Sequence, residues 1–263
     1  MSTEIVTARS SRGPLVGLAV HMLLLAGLSA TVGLSAGGWL AGVAYGVVLT
    51  VLLAEGLRRA GLRRLGPANL VTLSRSVGVG AVTALVVTGF RAEIPVPLLV
   101  GVVGVALALD GVDGQVARRT GSSSALGARF DMEVDAFLIL VLSVHLAGMF
   151  GWWTVAIGAF RYVFVAASWP MPWLTATLPP RFSRKVVAAT QGVVLVVATA
   201  EVLPRALAGV AVAGALAALV WSFGRDVIWL HRQRQAAATA APQAVASSPA
   251  RSGRSAGVPV PVA

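Results

Sequence analysis

Hydrophobic residues fall in eight runs, at about 14–34, 38–56, 68–89, 94–117, 127–149, 152–169, 185–203 and 206–230. Short polar or Pro/Gly-rich breaks separate them. Most approach the ~20 residues that an α-helix needs to cross a hydrocarbon core. The expected fold is all-α and integral to a membrane, with about eight transmembrane helices. Trp39, Trp152, Trp153 and Trp169 stand at run ends, where indoles favour the membrane–water interface. Residues 1–12 are polar and read as a cytoplasmic N-terminus. The runs within 13–56 make two spans, the first an uncleaved helix rather than a leader, since further spans follow. The piece EGLRRAGLRRLGP predicts a short interfacial helix over 57–67. Its Leu57, Leu62 and Leu65 would face lipid, and Arg58, Arg59, Arg63 and Arg64 anionic headgroups. Residues 231–263 are mostly Ala, Pro, Ser, Arg, Gln and Val without apolar period, and predict a disordered cytoplasmic tail.

Composition agrees with the pattern. Of 263 residues 57% are hydrophobic and 12% charged, against about 25% charged in soluble domains. Net charge is +11, almost all from arginine, with Lys185 the sole lysine. With the N-terminus inside, Arg9/Arg12, Arg58–Arg64, Arg118/Arg119/Arg129, Arg181/Arg184/Lys185 and Arg225/Arg232/Arg234 share the cytoplasmic side. Arg91 and Arg205 fall opposite. That bias sets both termini in the cytoplasm of a bacterial-type cell membrane. The arginines are scattered at span ends without an aromatic-interleaved patch, which argues against nucleic acid. The absence of cysteine excludes disulfides and thiolate chemistry. His21, His145 and His231 are isolated and read as packing residues.

One stretch departs from the pattern. Asp110–Asp135 holds five of the ten acidic residues: Asp110, Asp113, Asp131, Glu133 and Asp135. Carboxylates at a membrane boundary are costly and mark a functional site. Asp110 and Asp113 are three apart and share a helix face at the end of the fourth span. Asp131 and Asp135 are four apart at the start of the fifth, with Gly127 one turn earlier on the same face. The short linker makes these helices antiparallel neighbours, so the carboxylates converge. Hard oxygen ligands there suit Mg²⁺, Mn²⁺ or Ca²⁺. Mg²⁺ prefers few carboxylates plus phosphate oxygens, which implies a bound phosphate ester. Two ions ~4 Å apart would clamp an in-line phosphoryl displacement. Gly114 leaves room for a ligand to approach the backbone, Ala117 is small on the same side, and Arg118 offers a bidentate cation. Glu133 points away from Asp131 and Asp135 and reads as structural or supporting.

The spacing D-x-x-D-G-x-x-A-R, eight residues, then G-x-x-x-D-x-x-x-D runs through Asp110, Asp113, Gly114, Ala117, Arg118, Gly127, Asp131 and Asp135. It resembles the signature of the CDP-alcohol phosphotransferases at every fixed position. ANLVTLSR, with Asn69, Thr72 and Arg75, resembles the N-x-x-T-x-x-R segment of that family's first core helix. The resemblance implies a six-helix catalytic core over 68–230, outside which lie the first two spans and the tail. It implies transfer of a substituted phosphoryl group from a CDP-linked donor to an alcohol, with release of CMP. On the same ground Asp110, Asp113, Asp131 and Asp135 would hold two divalent ions, Mg²⁺ or Mn²⁺, with Asp135 also the general base. Gly114, Ala117, Arg118 and Gly127 would shape the nucleotide site, and Asn69, Thr72 and Arg75 would face it. Homodimerisation is implied only by this resemblance.

The expected donor is CDP-diacylglycerol, whose acyl chains stay in membrane lipid, and the acceptor a small alcohol. Arg184 and Lys185 at the seventh span, and Arg161 deep in the sixth, tilt the acceptor toward a phosphorylated one. Arg161 has the alternative of pairing with a carboxylate. Arg225 and Asp226 read as interfacial. A soluble CDP-alcohol donor with a lipid acceptor is the nearest alternative. An intramembrane prenyltransferase would need a second Asp-rich motif on a distant helix pair. A transporter would leave the spaced glycines and arginine without a role, and no internal repeat supports it.

Overall fold

A computed structural model describes residues 12–61, 67–120, 125–179 and 181–246. Among these there is no strand. The helices are α1 (Arg12–Val32), α2 (Ala36–Arg59), α3 (Pro67–Gly89), α4 (Val96–Thr120), α5 (Ala125–Phe150), α6 (Val155–Ser168), α7 (Phe182–Thr199) and α8 (Arg205–Ala246). Single 3-10 turns, Trp152–Thr154 and Pro172–Thr175, lead into α6 and follow it. Among the described residues six helices are long and apolar enough to cross a membrane: α1, α2, α3, α5, α7 and α8. The apolar parts of the other two are shorter, Val96–Leu109 in α4 and Trp152–Ser168 across α6. At 1.5 Å per residue Val96–Leu109 runs about 20 Å, less than the ~30 Å hydrocarbon core. Asp110 follows at once, so the acidic end of α4 begins before a bilayer's thickness is spent.

The centre is α3. Its apolar window is 78% buried, against 22–39% for the other long helices. It packs against α1, α2, α4 and α5, and Val79, Ala81, Val82, Ala84 and Leu85 are fully enclosed. Its hydroxyls are satisfied locally. Ser76, Thr83 and Thr88 donate to the carbonyls of Thr72, Val79 and Ala84, each four residues back. These three hydroxyls therefore enter an apolar core without a lost hydrogen bond.

The first two helices dock through glycine. Gly38, Gly42 and Gly46 are buried at four-residue spacing on α2. A Cβ on Gly42 would meet Leu25 at 2.9 Å, and one on Gly46 would meet the His21 ring at 2.6 Å. Close approach over small residues is how helices associate where lipid removes the hydrophobic drive. His21 Nε2 donates to Gly42 O at 2.9 Å and Trp39 Nε1 to Ser29 Oγ at 3.0 Å. Ser35 Oγ caps α2 by accepting from Gly38 N at 3.0 Å. Ser35 N donates to Thr88 Oγ1 on α3 at 3.2 Å. On the other flank α5 and α6 cross at Gly158, where a Cβ would lie 2.2 Å from Leu140 Cα.

Contacts between helix ends sort the charges. Gly56 of α2 meets Leu126 of α5, Arg75 of α3 meets Asp131 of α5, and Arg225 of α8 meets Ser183 of α7. This end carries Arg58, Arg59, Arg129, Arg181, Arg184 and Lys185. At the opposite end Arg205 of α8 donates to Met149 O of α5.

Two expectations need correction. Leu57 does not open a separate interfacial helix with its side chain in lipid. It belongs to the last turn of α2, is fully buried, and packs with Leu53 and Leu73. The helix continues because Glu55 anchors Arg58 and Arg59 at i+3 and i+4 spacing. Residues 62–66, with Leu62, Arg63, Arg64 and Leu65, lie outside the described residues. Nor does structure stop at 230: α8 continues to Ala246. The extension QAAATAA is rich in alanine, the strongest helix former, which needs no apolar face to propagate from an existing helix. Residues 1–11 and 247–263 lie outside the described residues.

Candidate active site

Glycine at 127 and carboxylates at 131 and 135 occupy successive turns of α5. Gly127 is buried, and the Asp131 and Asp135 side chains are 36% and 44% exposed. The facing helix supplies Arg75, one turn after the buried Thr72, with only 1% of its surface exposed. Its Nη2 pairs with Asp131 Oδ1 and lies 3.4 Å from Asp131 O, and its Nη1 lies 3.4 Å from Asp135 Oδ1. One guanidinium thus bridges two carboxylates on one helix face. Burying such a cation is tolerable only because its partners are fixed beside it.

The remaining motif residues stand on α4 and at the start of α3. Asp110, Asp113, Gly114, Ala117 and Arg118 occupy its last three turns, and Asn69 the first turn of α3. The backbone of α4 packs extensively on α3 and leads by a short connection into α5. The side chains of these six residues lie outside the described residues. Among the described residues no three His, Asp or Glu gather as a metal cage. The Asp131 and Asp135 carboxylates keep partial access to solvent. As hard, anionic oxygen donors they fit a divalent cation.

Between Asp131 and Asp135, Glu133 faces another way. Its carboxylate takes both Arg161 Nη2 and Arg161 Nε, the latter at 3.2 Å. Arg161 therefore ties α6 to α5, and the carboxylate-pairing option is the one realised. Arg184 is also engaged. Its Nε lies 3.6 Å from Asp226 Oδ2, and Nη2 donates to Pro179 O. Arg181 approaches the same carboxylate at 3.8 Å. Lys185 is exposed. The structure thus joins Arg75, Asp131 and Asp135, and sends Arg161 and Arg184 to two other carboxylates.

Asp226 corrects the interfacial reading: it is 6% exposed, enclosed between α7 and α8. Sequence reasoning missed it. The available signal was a lone carboxylate one residue past Arg225 inside an apolar run, with Arg181 and Arg184 beginning the preceding span. Arg225 itself donates to Ser183 Oγ at 2.8 Å and lies 4.6 Å over the Trp221 ring.

A family model described as CDP-alcohol phosphatidyltransferase matches residues 66–222, more than half of the chain. No curated protein and no solved structure matches it. The matched region runs from the residue before α3 into the middle of α8, so α1 and α2 stand outside it.

Proposed function

The chain belongs to the CDP-alcohol phosphatidyltransferase family, a family of membrane transferases, and on that premise we propose that it moves a phosphatidyl group from CDP-diacylglycerol to a small alcohol. The observation that carries the reading is the pair Asp131 and Asp135, held on one face of α5 by the buried Arg75. Asp110, Asp113, Asp131 and Asp135 would hold two divalent cations, Mg²⁺ or Mn²⁺. When bound, such cations neutralise the donor's diphosphate and the charge that develops on departing CMP.

The chain's own residues supply the rest. The acceptor hydroxyl is a weak nucleophile, and Asp135 takes its proton as the new oxygen–phosphorus bond forms. The bond from phosphorus to the CMP oxygen breaks, and CMP leaves with its electron pair. Arg75, 3.4 Å from Asp135, helps to orient the base before reaction. Gly114, Ala117, Arg118 and Gly127, with Asn69 and Thr72, form the nucleotide side of the site. For the acceptor the proposed cations are Arg161, Arg184 and Lys185. Lys185 leads, because it is exposed while each arginine already holds a carboxylate. The site faces the cytoplasm by the arginine bias of that end, and the protein acts as a homodimer.

The test is CMP release from CDP-diacylglycerol by purified protein with Mg²⁺ and a panel of acceptor alcohols. Wild type should form one lipid product, and Asp135→Asn should lose about 10²-fold or more in rate. Undiminished release from folded Asp135→Asn would remove Asp135 as the base. Failure of wild type with every acceptor, together with turnover of a soluble CDP-alcohol, would reverse donor and acceptor.

A further inference from the structure

Tyr45 stands on α2, outside residues 66–222, and its ring is set against three other helices. On α5 it stacks on Phe137, two residues after Asp135, with ring centroids 5.1 Å apart at 28°. The His21 ring of α1 lies against it at 6.0 Å and 59°. On α3 it fills the space a side chain would take at Gly80, where a Cβ would come within 2.7 Å of Tyr45 Cδ1 and 2.9 Å of Cε1. Gly80 lies one turn beyond the fully buried Ser76. The ring therefore runs along α3 and brings its hydroxyl to the level of Ser76 and Arg75. That hydroxyl is closed to water. Ser76 stands beside it at hydrogen-bonding range and Arg75 within electrostatic range. Among the described residues none completes a hydrogen bond to it.

We propose that Tyr45 is a positioning residue for the transfer site: its hydroxyl donates to Ser76 Oγ, turns its lone pairs toward the Arg75 guanidinium, and so fixes the cation on which Asp131 and Asp135 lean. Its kinetic consequence rests on the phosphatidyl-transfer reading. A buried hydroxyl left unbonded is costly, which favours its rotation onto a neighbour. Ser76 can accept, since its Oγ donates to Thr72 O at 2.7 Å and keeps its lone pairs. Arg75 brings only donors, so the phenol oxygen suits it as an acceptor. Its Nη2 and Nη1 go to Asp131 and Asp135. The guanidinium is a rigid plane, so a hold on one side sets the direction of both Nη groups. The ring's seats on Gly80 and Phe137 belong to α3 and α5, the helices that carry the cation and its carboxylates. A helix outside the matched region thereby takes part in the geometry of the site.

The experiment removes the hydroxyl and keeps the ring. Tyr45→Phe does this, and Ser76→Ala removes the acceptor. Thr83→Val is the control, a buried α3 hydroxyl that donates to Val79 O of its own helix. CMP release from CDP-diacylglycerol, with Mg²⁺ and the alcohol that wild type uses, separates kcat from KM. Nitrogen-resolved NMR of the full chain follows the Arg75 Nε–H signal, assigned by its absence from Arg75→Lys. Tyr45→Phe should lower kcat about tenfold at unchanged KM and unfolding midpoint, less than the ~100-fold of a 1 Å misplacement. It should also speed exchange of the Arg75 Nε–H with water severalfold. Ser76→Ala should do the same, and Thr83→Val neither. In the Arg75→Lys background Tyr45→Phe should cost little further, because both act through one cation. Wild-type kcat in folded Tyr45→Phe overturns the proposal. So does a fall in kcat with Arg75 Nε–H exchange unchanged, since the effect would then bypass the arginine. If wild type releases no CMP with any acceptor, the transfer reading fails, while exchange of the Arg75 signal still decides whether Tyr45 holds it.

Discussion

Arg75 and Asp135 face each other across α3 and α5 at 3.4 Å, with Asp131 sharing the same guanidinium. The arginine is enclosed and the carboxylates half open. The site is therefore asymmetric: its cation belongs to the core and its anions to the more open side.

Removing the buried partner should be costly. Arg75→Gln takes the buried guanidinium away from two half-exposed carboxylates. Breaking a fully buried pair costs about 3–5 kcal/mol, and the exposure of the aspartates lowers the expectation to about 2 kcal/mol. Denaturant unfolding in detergent measures it. Adding Asp131→Asn should restore part of the loss; an Arg75→Gln protein as stable as wild type would show that the bridge carries no stability.

The Glu133–Arg161 pair joins α5 to α6 on another face. Glu133→Gln, Arg161→Gln and the double variant form a cycle. A coupling of about 1 kcal/mol is expected, because both side chains keep some water and screening limits the pair. Zero coupling would mean that the contact does not hold the helices.

Asp226 should matter more to stability than its neighbour Lys185. Asp226→Asn leaves Arg181 and Arg184 without their shared counter-ion, at an expected cost of about 2 kcal/mol. Lys185→Gln, at an exposed position, should leave the unfolding midpoint unmoved and raise KM for a phosphorylated acceptor. An unchanged KM across the acceptor panel would take Lys185 out of the acceptor site.

Two glycines separate packing from propensity. Gly158→Ala drives a methyl against the Leu140 backbone, which cannot step aside as a side chain would, and should cost about 1–3 kcal/mol or more. Gly101 has open space around its Cβ direction, so Gly101→Ala should be neutral or gain about 0.5–1 kcal/mol from helix propensity. Thermal unfolding of the two side by side is the check.

Most helix positions were legible because apolar runs meet Gly, Pro or Arg near their ends. The convergence of Asp131 and Asp135 was legible because four-residue spacing needs no tertiary knowledge. What Arg75 does was less so. Motif resemblance turned it toward the nucleotide, whereas its guanidinium lies on the two carboxylates, a contact between residues 56 apart. Arg161 with Glu133 and Arg184 with Asp226 join residues on different helices, and spacing along the chain holds no trace of such pairs. The hydropathy that marked α2 also ended it too early, since Leu57 and its arginines look alike whether the helix continues or turns along a membrane surface. The end of α8 was misjudged for a related reason. Alanine carries no periodicity, so a helix made largely of it resembles a tail.

The hydrogen bonds of the first hairpin bear on how the chain is made. His21 is answered by Gly42 and Trp39 by Ser29, so both links close between α1 and α2 alone. During synthesis the N-terminal segments emerge first, and these two donors need no partner still inside the ribosome. The hairpin can enter the bilayer with these two links closed and offer its glycine face to α3 on arrival. The Ser35–Thr88 bond then records the docking. The two helices outside the matched region are thus the first to be settled, and the catalytic helices assemble against a surface already in place.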